Sequence, residues 1–227
     1  MRTAQRRKAI LEILEATYPD AKCALNHTTP FELLVATILS AQCTDERVNQ
    51  VTARLFPKYN TPEAFARLDY QTLENEIKEL GLFRSKARNI IEMSRRLIAE
   101  HGGEVPRERE ALEKLPGVGR KTANVVLSNA FGVPAIAVDT HVFRVARRLG
   151  LVHRAKDPLE TELQLMKNIP REKWSQAHHW LIHHGRRVCE ARRPRCGECP
   201  LLPYCPEGKK RTALRAPSGA SGLKRGS

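Results

Sequence analysis

Apolar residues recur every three or four positions along most of the chain, which is the spacing of one face of an α-helix. Two such faces come early, over residues 10–14 and 31–39, and a longer helix is predicted from about residue 85 to residue 100. The alternation typical of a strand is nearly absent. Only residues 133–138 could form a short extended segment, and no second segment could pair with it. The pattern therefore predicts an all-α protein with many short helices.

Polar residues mark where several of these helices begin. Thr44, Thr61 and Asp69 each precede a helical pattern, and Thr61 is followed directly by proline. Threonine and aspartate side chains can accept a hydrogen bond from the free N–H groups of a first turn. We therefore predict helix N-termini at these three positions. Gly81 ends the helix that follows Asp69.

Changes in composition divide the chain into segments. Residues 22–133 form a continuous run of helices joined by short turns, whereas residues 134–206 combine Trp174 and Trp180 with a cysteine-rich loop. We predict two hydrophobic cores, of which the second is stabilised by the cysteine-rich loop. From residue 207 to residue 227, basic residues, Gly, Ser and Ala replace the apolar pattern, so this tail is predicted to be disordered.

Charge narrows the range of partners. Among 227 residues, 39 Lys and Arg stand against 25 Asp and Glu, which gives a formal net charge of +14. Such an excess favours a polyanionic partner, most commonly nucleic acid, although RNA-binding and membrane-surface proteins share it. With 41% hydrophobic residues the chain is able to form a core, and no apolar run is long enough to span a membrane. Glu12 and Glu15 interrupt the only stretch that resembles a signal peptide, so we expect a cytoplasmic protein.

Four of the six cysteines lie close together near the end of the chain, at Cys189, Cys196, Cys199 and Cys205. In a cytoplasmic protein such a cluster indicates a metal site rather than disulfides. Four thiolates can hold zinc or an iron–sulfur cluster. The C-x6-C-x2-C-x5-C spacing contains only one short knuckle and so disfavours zinc without excluding it. Cys23 and Cys43 stand among apolar residues and are predicted to be buried small hydrophobes.

The most informative stretch is LEKLPGVGRKTA over residues 112–123. Pro116 ends one helix, the two glycines around Val118 allow a tight turn, and a new helix begins at Arg120. Backbone N–H groups beside the positive end of that helix form a site for one phosphate group. This pattern indicates a helix–hairpin–helix that holds the DNA backbone, the alternative being an ordinary turn between packed helices.

Two residues near this hairpin have a structural and a chemical interpretation each. Lys121 is either one more phosphate contact or a nucleophile, because the first turn of a helix beside Arg120 disfavours another positive charge. Asp139 follows the apolar residues 135–138 and suits a helix N-cap. A capping carboxylate is also catalytic if it faces the lysine. The residues alone leave both questions open.

The hairpin LPGVGRKTANVVL, the segment VDTH, the run HHWLIHHGR and the cysteine spacing resemble bacterial endonuclease III in order and separation over residues 1–206. That family comprises DNA glycosylases with lyase activity that remove oxidised pyrimidines. The resemblance implies a two-lobed all-α fold with a six-helix domain over residues 22–133. It also implies that residues 1–21 join residues 134–206 in a lobe around a [4Fe-4S] cluster.

The resemblance further assigns roles to individual residues. The catalytic pair falls on Lys121 and Asp139, and the four clustered cysteines become the ligands of the [4Fe-4S] cluster. The residues it implies for DNA binding are Gln42 and Leu82, which enter the duplex where a base is extruded, and Gly117, Val118, Gly119, Arg120, His141, Arg186, Arg192 and Arg193. The expected partner is double-stranded DNA with damaged pyrimidines or abasic sites. We expect a monomer in the cytoplasm, associated with the nucleoid and not with a membrane.

Two other functions compete with this one. An adenine glycosylase that acts on mispairs shares the hairpin and the cluster but lacks a lysine at position 121 and has a further C-terminal domain. A non-catalytic DNA-binding protein would need only the hairpin and the basic surface. The four histidines at positions 178, 179, 183 and 184 invite a metal interpretation, but no acidic ligand accompanies them, so packing beside the cluster is expected.

Overall fold

The computed structural model describes residues 3–214, which are entirely helical and irregular, with no strand among them. Residues 133–138, the one candidate for an extended segment, have no regular secondary structure and pair with no strand among the described residues. The α-helices, numbered in chain order, are α1 (Thr3–Thr17), α2 (Pro30–Leu39), α3 (Asp45–Leu55), α4 (Pro62–Ala66), α5 (Tyr70–Ile77), α6 (Phe83–His101), α7 (Arg109–Glu113), α8 (Arg120–Phe131), α9 (Thr140–Arg148), α10 (Pro158–Asn168), α11 (Trp174–Arg187) and α12 (Pro206–Ala213).

The predicted helix starts at Thr44, Thr61 and Asp69 are confirmed. Each side chain accepts a hydrogen bond from the backbone N–H three residues later, at the first turns of α3, α4 and α5. Thr29 caps α2 in the same way. Side-chain caps satisfy donors that otherwise have no partner at a helix N-terminus, which is why these short helices begin where they do.

The middle lobe consists of α2–α8 packed around one apolar cluster that runs from Leu25 to Ala135. Helix α2 lies at its centre, since every residue from Phe31 to Leu39 is buried. A helix that is apolar on all sides must be surrounded by others. The resemblance implied six helices here, whereas the structure contains seven helical segments; α4 and α7 are only five residues long.

The terminal lobe joins the two ends of the chain. Its apolar cluster contains residues of α1, from Ile10 to Tyr18, and residues between Ile136 and Cys205. Helix α1 packs against α11, whose Trp180 is almost fully buried. Arg6 of α1 binds the turn after α9, where its guanidinium donates to the carbonyls of Leu149 and Gly150, both at 2.6 Å.

The predicted disorder of residues 207–227 is wrong for its first part. Residues 206–213 form α12, because Pro206 occupies the first turn and the Cys205 side chain accepts the N–H of Gly208 at 3.2 Å. An ion pair between Glu207 and Arg211 at 2.7 Å adds support one turn along. Small size at Gly208 lets this helix pack closely on the cysteine loop, as a side chain there would meet Leu202 at 3.1 Å. The remainder of the predicted tail, 215–227, lies outside the described residues.

Candidate functional site

The hairpin between α7 and α8 is a tight turn that exposes backbone at its tip. Gly117 has φ +77°, and an added Cβ there would lie 2.9 Å from the Cβ of Asn89, so only glycine fits. Gly119 instead has an ordinary extended conformation, and a Cβ added there would meet no atom within 4 Å. The hairpin therefore needs Gly117 for its shape, whereas Gly119 leaves open space in front of the N-terminus of α8.

The side chains of Val118 and Arg120, two of the residues that the resemblance implies for DNA binding, are both held by contacts within the protein. Val118 is buried in the middle lobe, and its N–H bonds to the carbonyl of Leu115 at 3.1 Å, so it anchors the hairpin and offers no free donor. The guanidinium of Arg120 binds both carboxylate oxygens of Glu162 on α10, at 2.8 and 2.9 Å. These hydrogen bonds raise the pKa of Arg120. Contact between Arg120 and DNA is thus left to its backbone N–H, one of the free donors at the start of α8.

Lys121 and Asp139 line the same cavity of about 610 Å³ between the two lobes. The exposed ammonium group of Lys121 forms no ion pair or hydrogen bond with any other residue in the described part of the chain. Its position in the first turn of α8 holds it near the positive end of the helix dipole. A lysine without a carboxylate partner is free to react with a ligand in this cavity.

The capping interpretation of Asp139 is confirmed, because its Oδ1 accepts the N–H of Val142 at 2.7 Å at the start of α9. The cap fixes the carboxylate in the wall of the cavity, and its Oδ2 accepts no hydrogen bond from residues 3–214. The segment before it is held to α8, since Asn124 Nδ2 donates to the Ile136 carbonyl at 3.0 Å. Asp139 therefore both caps α9 and lines the cavity.

Neutral histidines form much of the cavity wall opposite α8. Burial, reinforced by neighbouring positive charge, lowers the pKa of His178 well below its ordinary value, and burial lowers that of His179 to about 4. Burial also lowers the pKa of His183, with Arg187 and Arg186 acting in the same direction. These rings are polar without adding charge beside Lys121. Their predicted packing beside the cysteine loop applies only to His184, whose Nε2 lies 3.6 Å from the Cys199 sulfur.

His141, in the first turn of α9, is half-buried. Burial and the charges of Arg144 and Arg186 lower its pKa, whereas Asp139 opposes them. Arg144 Nη2 lies 3.1 Å from His141 Nδ1 and also donates to the Gly185 carbonyl at 3.0 Å. These contacts hold the His141 ring between α9 and α11.

Gln42 and Leu82 lie side by side in two exposed turns. Both have left-handed backbones, with φ +56° and +59°, although neither is glycine. A side chain at Gly81 would lie 3.9 Å from the Gln42 carbonyl, which shows how close the two turns approach. Leu82 combines this backbone with an exposed side chain, 54% of which is accessible to solvent. Strained backbones and exposed apolar groups often occur at functional sites.

The remaining arginines of the expected interface lie on the terminal lobe. Arg192 and Arg193 are exposed and free of ion pairs with residues 3–214. Arg186 Nη2 binds Asp45 Oδ2 at 2.7 Å and so connects α11 with α3 of the middle lobe. Sequence reasoning missed Asp45, Glu162 and Asn129. Of these, only Asn129 carried a signal, since it follows Lys121 at two successive four-residue steps.

The two isolated cysteines are less buried than predicted. Cys23 and Cys43 both pack against the middle-lobe cluster but remain half-buried. Cys23 also lines the cavity of Lys121, and burial raises the pKa of its thiol. Cys43 lies 3.4 Å from the ammonium nitrogen of the buried Lys86.

All four clustered cysteines line one second cavity of about 290 Å³ in the terminal lobe. Arg148 shapes their loop by donating to the carbonyls of Glu190 and Ala191, both at 2.7 Å. Burial raises the pKa of Cys199 to about 11, so thiolates here need positive charge from a bound metal. No group of three or more His, Cys, Asp or Glu side chains in residues 3–214 is arranged around a single ion. Four sulfurs around one cavity suit a larger, multi-iron group.

No helix within residues 3–214 has both the length and the apolar character needed to cross a membrane.

Comparisons with known proteins agree with these features. Residues 35–171 match the family described as "HhH-GPD superfamily base excision DNA repair protein". Endonuclease III of Bacillus subtilis (strain 168) is 57% identical over 194 residues, 86% of this chain and 89% of that relative. Endonuclease III of Escherichia coli (strain K12) is 50% identical over 200 residues, which cover 88% and 94%. A solved "Trapped Endonuclease III-DNA Covalent Intermediate" superposes with a TM-score of 0.89 at 55% identity, covering 93% of this chain and 100% of that one.

Proposed function

Because the chain belongs to the HhH-GPD superfamily of base excision DNA repair proteins, we propose that it is a DNA glycosylase with abasic-site lyase activity that excises oxidised pyrimidines from double-stranded DNA. The observation that carries this proposal is Lys121, an amine without an ionic partner that shares a cavity with Asp139. The covalent DNA complex of a structurally similar endonuclease III supports a nucleophilic role for such a group.

Backbone contacts position the duplex. The N–H groups of Gly119 and Arg120 and the helix dipole of α8 hold one phosphate. The side chains of His141, Arg186, Arg192 and Arg193 hold others. A base inside the stack is out of reach, so the nucleotide must rotate into the cavity between the lobes. Gln42 and Leu82 fill the space it leaves, which offsets part of the unstacking cost.

The chemistry follows from an unpaired lysine and a carboxylate that line one cavity. Lys121 attacks C1′ of the extruded sugar, the N-glycosidic bond breaks, and its electron pair leaves with the base. The resulting aminal opens to a protonated Schiff base, which makes the protons on C2′ acidic. Loss of one of them expels the 3′ phosphate by β-elimination and nicks the strand. Hydrolysis of the Schiff base then frees Lys121.

Asp139 acts on charge and protons in these steps. Its free oxygen stabilises positive charge that develops on the sugar and accepts the proton that Lys121 must lose. Fixed by its cap to α9, the carboxylate meets the reacting sugar without reorganising. All groups in this scheme come from one chain, so we propose that a monomer acts, at the nucleoid where its substrate lies.

The two competing functions lack comparable support. An adenine-mispair glycosylase has no need of an unpaired lysine at position 121, and a purely DNA-binding protein has no need of the cavity. Both would bind DNA through the hairpin, yet neither would form a covalent adduct.

Borohydride trapping tests the proposal. We expect wild-type protein to form a covalent adduct with an oxidised-pyrimidine duplex and to cleave it. Lys121→Gln removes the amine but keeps the hairpin, so adduct and cleavage should disappear while binding decreases only modestly. Asp139→Asn should keep the cap and slow the reaction without abolishing trapping. A normal rate of adduct formation by Lys121→Gln would identify another amine as the nucleophile.

We further propose that Cys189, Cys196, Cys199 and Cys205 hold a [4Fe-4S] cluster. Its role is structural, because the ligands bind the loop to the core of the terminal lobe and so fix Arg192 and Arg193 on the DNA-facing side. Purified protein should be yellow-brown and contain about four iron and four sulfide ions per chain. Cys199→Ser should lower the unfolding temperature more than the chemistry. Colourless, active protein with one zinc ion per chain would contradict this assignment.

A further inference from the structure

The wall of the catalytic cavity contains a polar pair that the reaction does not use. Lys121, Val125 and Asn129 follow one another at four-residue spacing on α8, and all three line the cavity. His179 of α11 faces Asn129 across it, with Nε2 at 2.9 Å from Asn129 Oδ1. At 1.5 Å of rise per residue, Asn129 lies about 12 Å along α8 from Lys121. The pair therefore lies about two turns of α8 away from the residue that carries the amine.

The contacts of Asn129 fix which ring nitrogen of His179 carries the proton. Asn129 Nδ2 donates to the Val125 carbonyl at 2.8 Å, so its Oδ1 is the atom turned toward the histidine. An amide oxygen only accepts, and Nε2 of His179 must therefore donate. Because burial lowers the pKa of His179 to about 4, the ring is neutral at physiological pH and Nδ1 keeps its lone pair.

This lone pair is available to a ligand. His179 is 7% exposed, and its Nδ1 forms no hydrogen bond with any residue in the described range 3–214. Nδ1 is also not among the atoms that are fully enclosed without a partner, whereas Nδ1 of the adjacent His178 is. His179, which lines the same cavity as Lys121, thus carries one oriented, uncharged acceptor.

We propose that His179, oriented by Asn129, reads the extruded base by accepting a hydrogen bond from its N3–H group. This inference rests on the proposed function and specifies its substrate. Pyrimidine lesions with a 4-oxo group, such as 5,6-dihydrouracil, carry a proton on N3. Lesions that keep a 4-amino group, such as 5-hydroxycytosine, carry a lone pair there, so two acceptors would face each other and a hydrogen bond would be replaced by repulsion. The cavity therefore selects imide-type lesions.

The roles of the two residues differ. His179 touches the base and determines specificity, whereas Asn129 is a positioning residue that acts through the tautomer of His179. Without the Asn129 oxygen, the proton is free to move to Nδ1, which turns the acceptor into a donor. Loss of Asn129 should thus change the preference in the same direction as loss of His179, but less.

The test compares three duplexes, which contain 5,6-dihydrouracil, 5-hydroxycytosine or an abasic site. Single-turnover excision rates for the two lesions are each divided by the same protein's nicking rate on the abasic duplex, which contains no base to read. For wild type we expect a clear preference for dihydrouracil. His179→Phe should reduce the ratio of the two normalised rates by roughly three- to tenfold, and Asn129→Leu by a smaller factor.

His183→Phe provides the matched control, since His183 lines the same cavity but its ring interacts with the Lys22 backbone. This variant should keep the wild-type ratio. An unchanged ratio in both His179→Phe and Asn129→Leu would overturn the reading role. Absence of nicking and trapping by wild type on the abasic duplex would instead refute the proposed function, so the two failures are distinguishable.

Discussion

Gln42 and Leu82 have backbones in the left-handed region, where a non-glycine residue costs on the order of 1–2 kcal/mol. Glycine avoids that steric cost but loses more conformational entropy on folding. The steric cost of Gln42 and Leu82 and the entropic cost of glycine partly cancel, so neither choice gives a large gain in stability. We therefore attribute the presence of Gln42 and Leu82 at these positions to the function of their side chains. Arg154, exposed in the turn between α9 and α10, shares this conformation with φ +47° far from the cavity.

Leu82→Gly separates side-chain function from fold stability. The unfolding temperature should stay level or rise by about 1–3 °C, because strain is relieved while little buried surface is lost. Excision from a damaged duplex should fall about tenfold, since no side chain fills the space of the extruded base. Differential scanning calorimetry and single-turnover excision measure the two effects.

Arg154→Gly is the control for that variant. It should change the unfolding temperature in the same way and leave excision unaltered. A drop of several degrees for Leu82→Gly alone would show that Leu82 stabilises the fold and does not serve the DNA.

The sequence predicted the contacts and conformations of some individual residues and not of others. Asp139 was predictable as a cap because capping depends on local hydrogen bonds to the next turn. The Arg120–Glu162 pair was not, since its partners are 42 positions apart and meet only after α10 has docked. Left-handed φ at Gln42 and Leu82 also left no signal, because neither residue type favours it.

Among the elements, the hairpin between α7 and α8 contains two glycines with different tasks. Gly117→Ala introduces both an unfavourable φ and a contact of 2.9 Å with Asn89, so it should lower the free energy of unfolding by about 2 kcal/mol or more. Gly119→Ala meets no protein atom and should leave stability within about 0.5 kcal/mol.

For DNA binding we expect the opposite ranking of the two positions: the change at Gly119, which hardly alters stability, is the one that weakens binding. A methyl group at position 119 occupies the space in which a phosphate approaches the N-terminus of α8, so Gly119→Ala should weaken binding at least tenfold. Urea denaturation and binding to a non-cleavable abasic analogue measure the two quantities. Full DNA affinity of a stable Gly119→Ala protein would remove the hairpin from the interface.

Helix starts were easier to predict than helix ends. Caps at Thr44, Thr61 and Asp69 are local signals, whereas α5 already ends at Ile77, before the predicted stop at Gly81. Helix α12 was missed because its cap is the Cys205 side chain and its packing partner is the cysteine loop. Neither partner is recognisable from the polar composition of residues 207–213.

At the scale of the whole molecule, the neutral histidines between the lobes make stability depend on pH. His179 binds a proton near pH 6.5 when unfolded but only near pH 4 when folded. The unfolded state therefore binds more protons between these values, and stability is lost as pH falls through this window. His179 alone contributes on the order of 3 kcal/mol to this loss, and His178 acts in the same direction.

We expect the free energy of unfolding to decrease steeply between pH 6.5 and pH 4, as measured by chemical denaturation at each pH. His179→Phe should flatten that decrease, whereas replacement of the exposed His153 by Gln should not. A wild-type curve that is flat over this window would mean that these rings are solvated in the native protein.

The two-lobed arrangement came from the resemblance and not from periodicity. Residues 22–133 were distinguishable as a helical run, but nothing in residues 3–17 indicates that their apolar face packs on α11 at the other end of the chain. The cavity of Lys121 and Asp139 lies between the lobes and was unpredictable for the same reason. Its wall combines α8 with α11, whose facing residues, Asn129 and His179, are 50 positions apart.

The union of both chain ends in the terminal lobe also has a consequence during synthesis. A ribosome releases α1 first and adds roughly 120 residues before α9 appears, which takes on the order of 10 s. Throughout that interval Ile10, Leu11 and Leu14 lack their native partners from residues 136–205. By its end the middle lobe, whose apolar cluster lies between Leu25 and Ala135, is complete and ready to fold. The nascent chain thus consists of a folded middle lobe preceded by a helix whose apolar face is uncovered. Chaperones recognise species of this kind. Active enzyme forms only when the last cysteine has left the exit tunnel and α1 closes onto the newly made lobe.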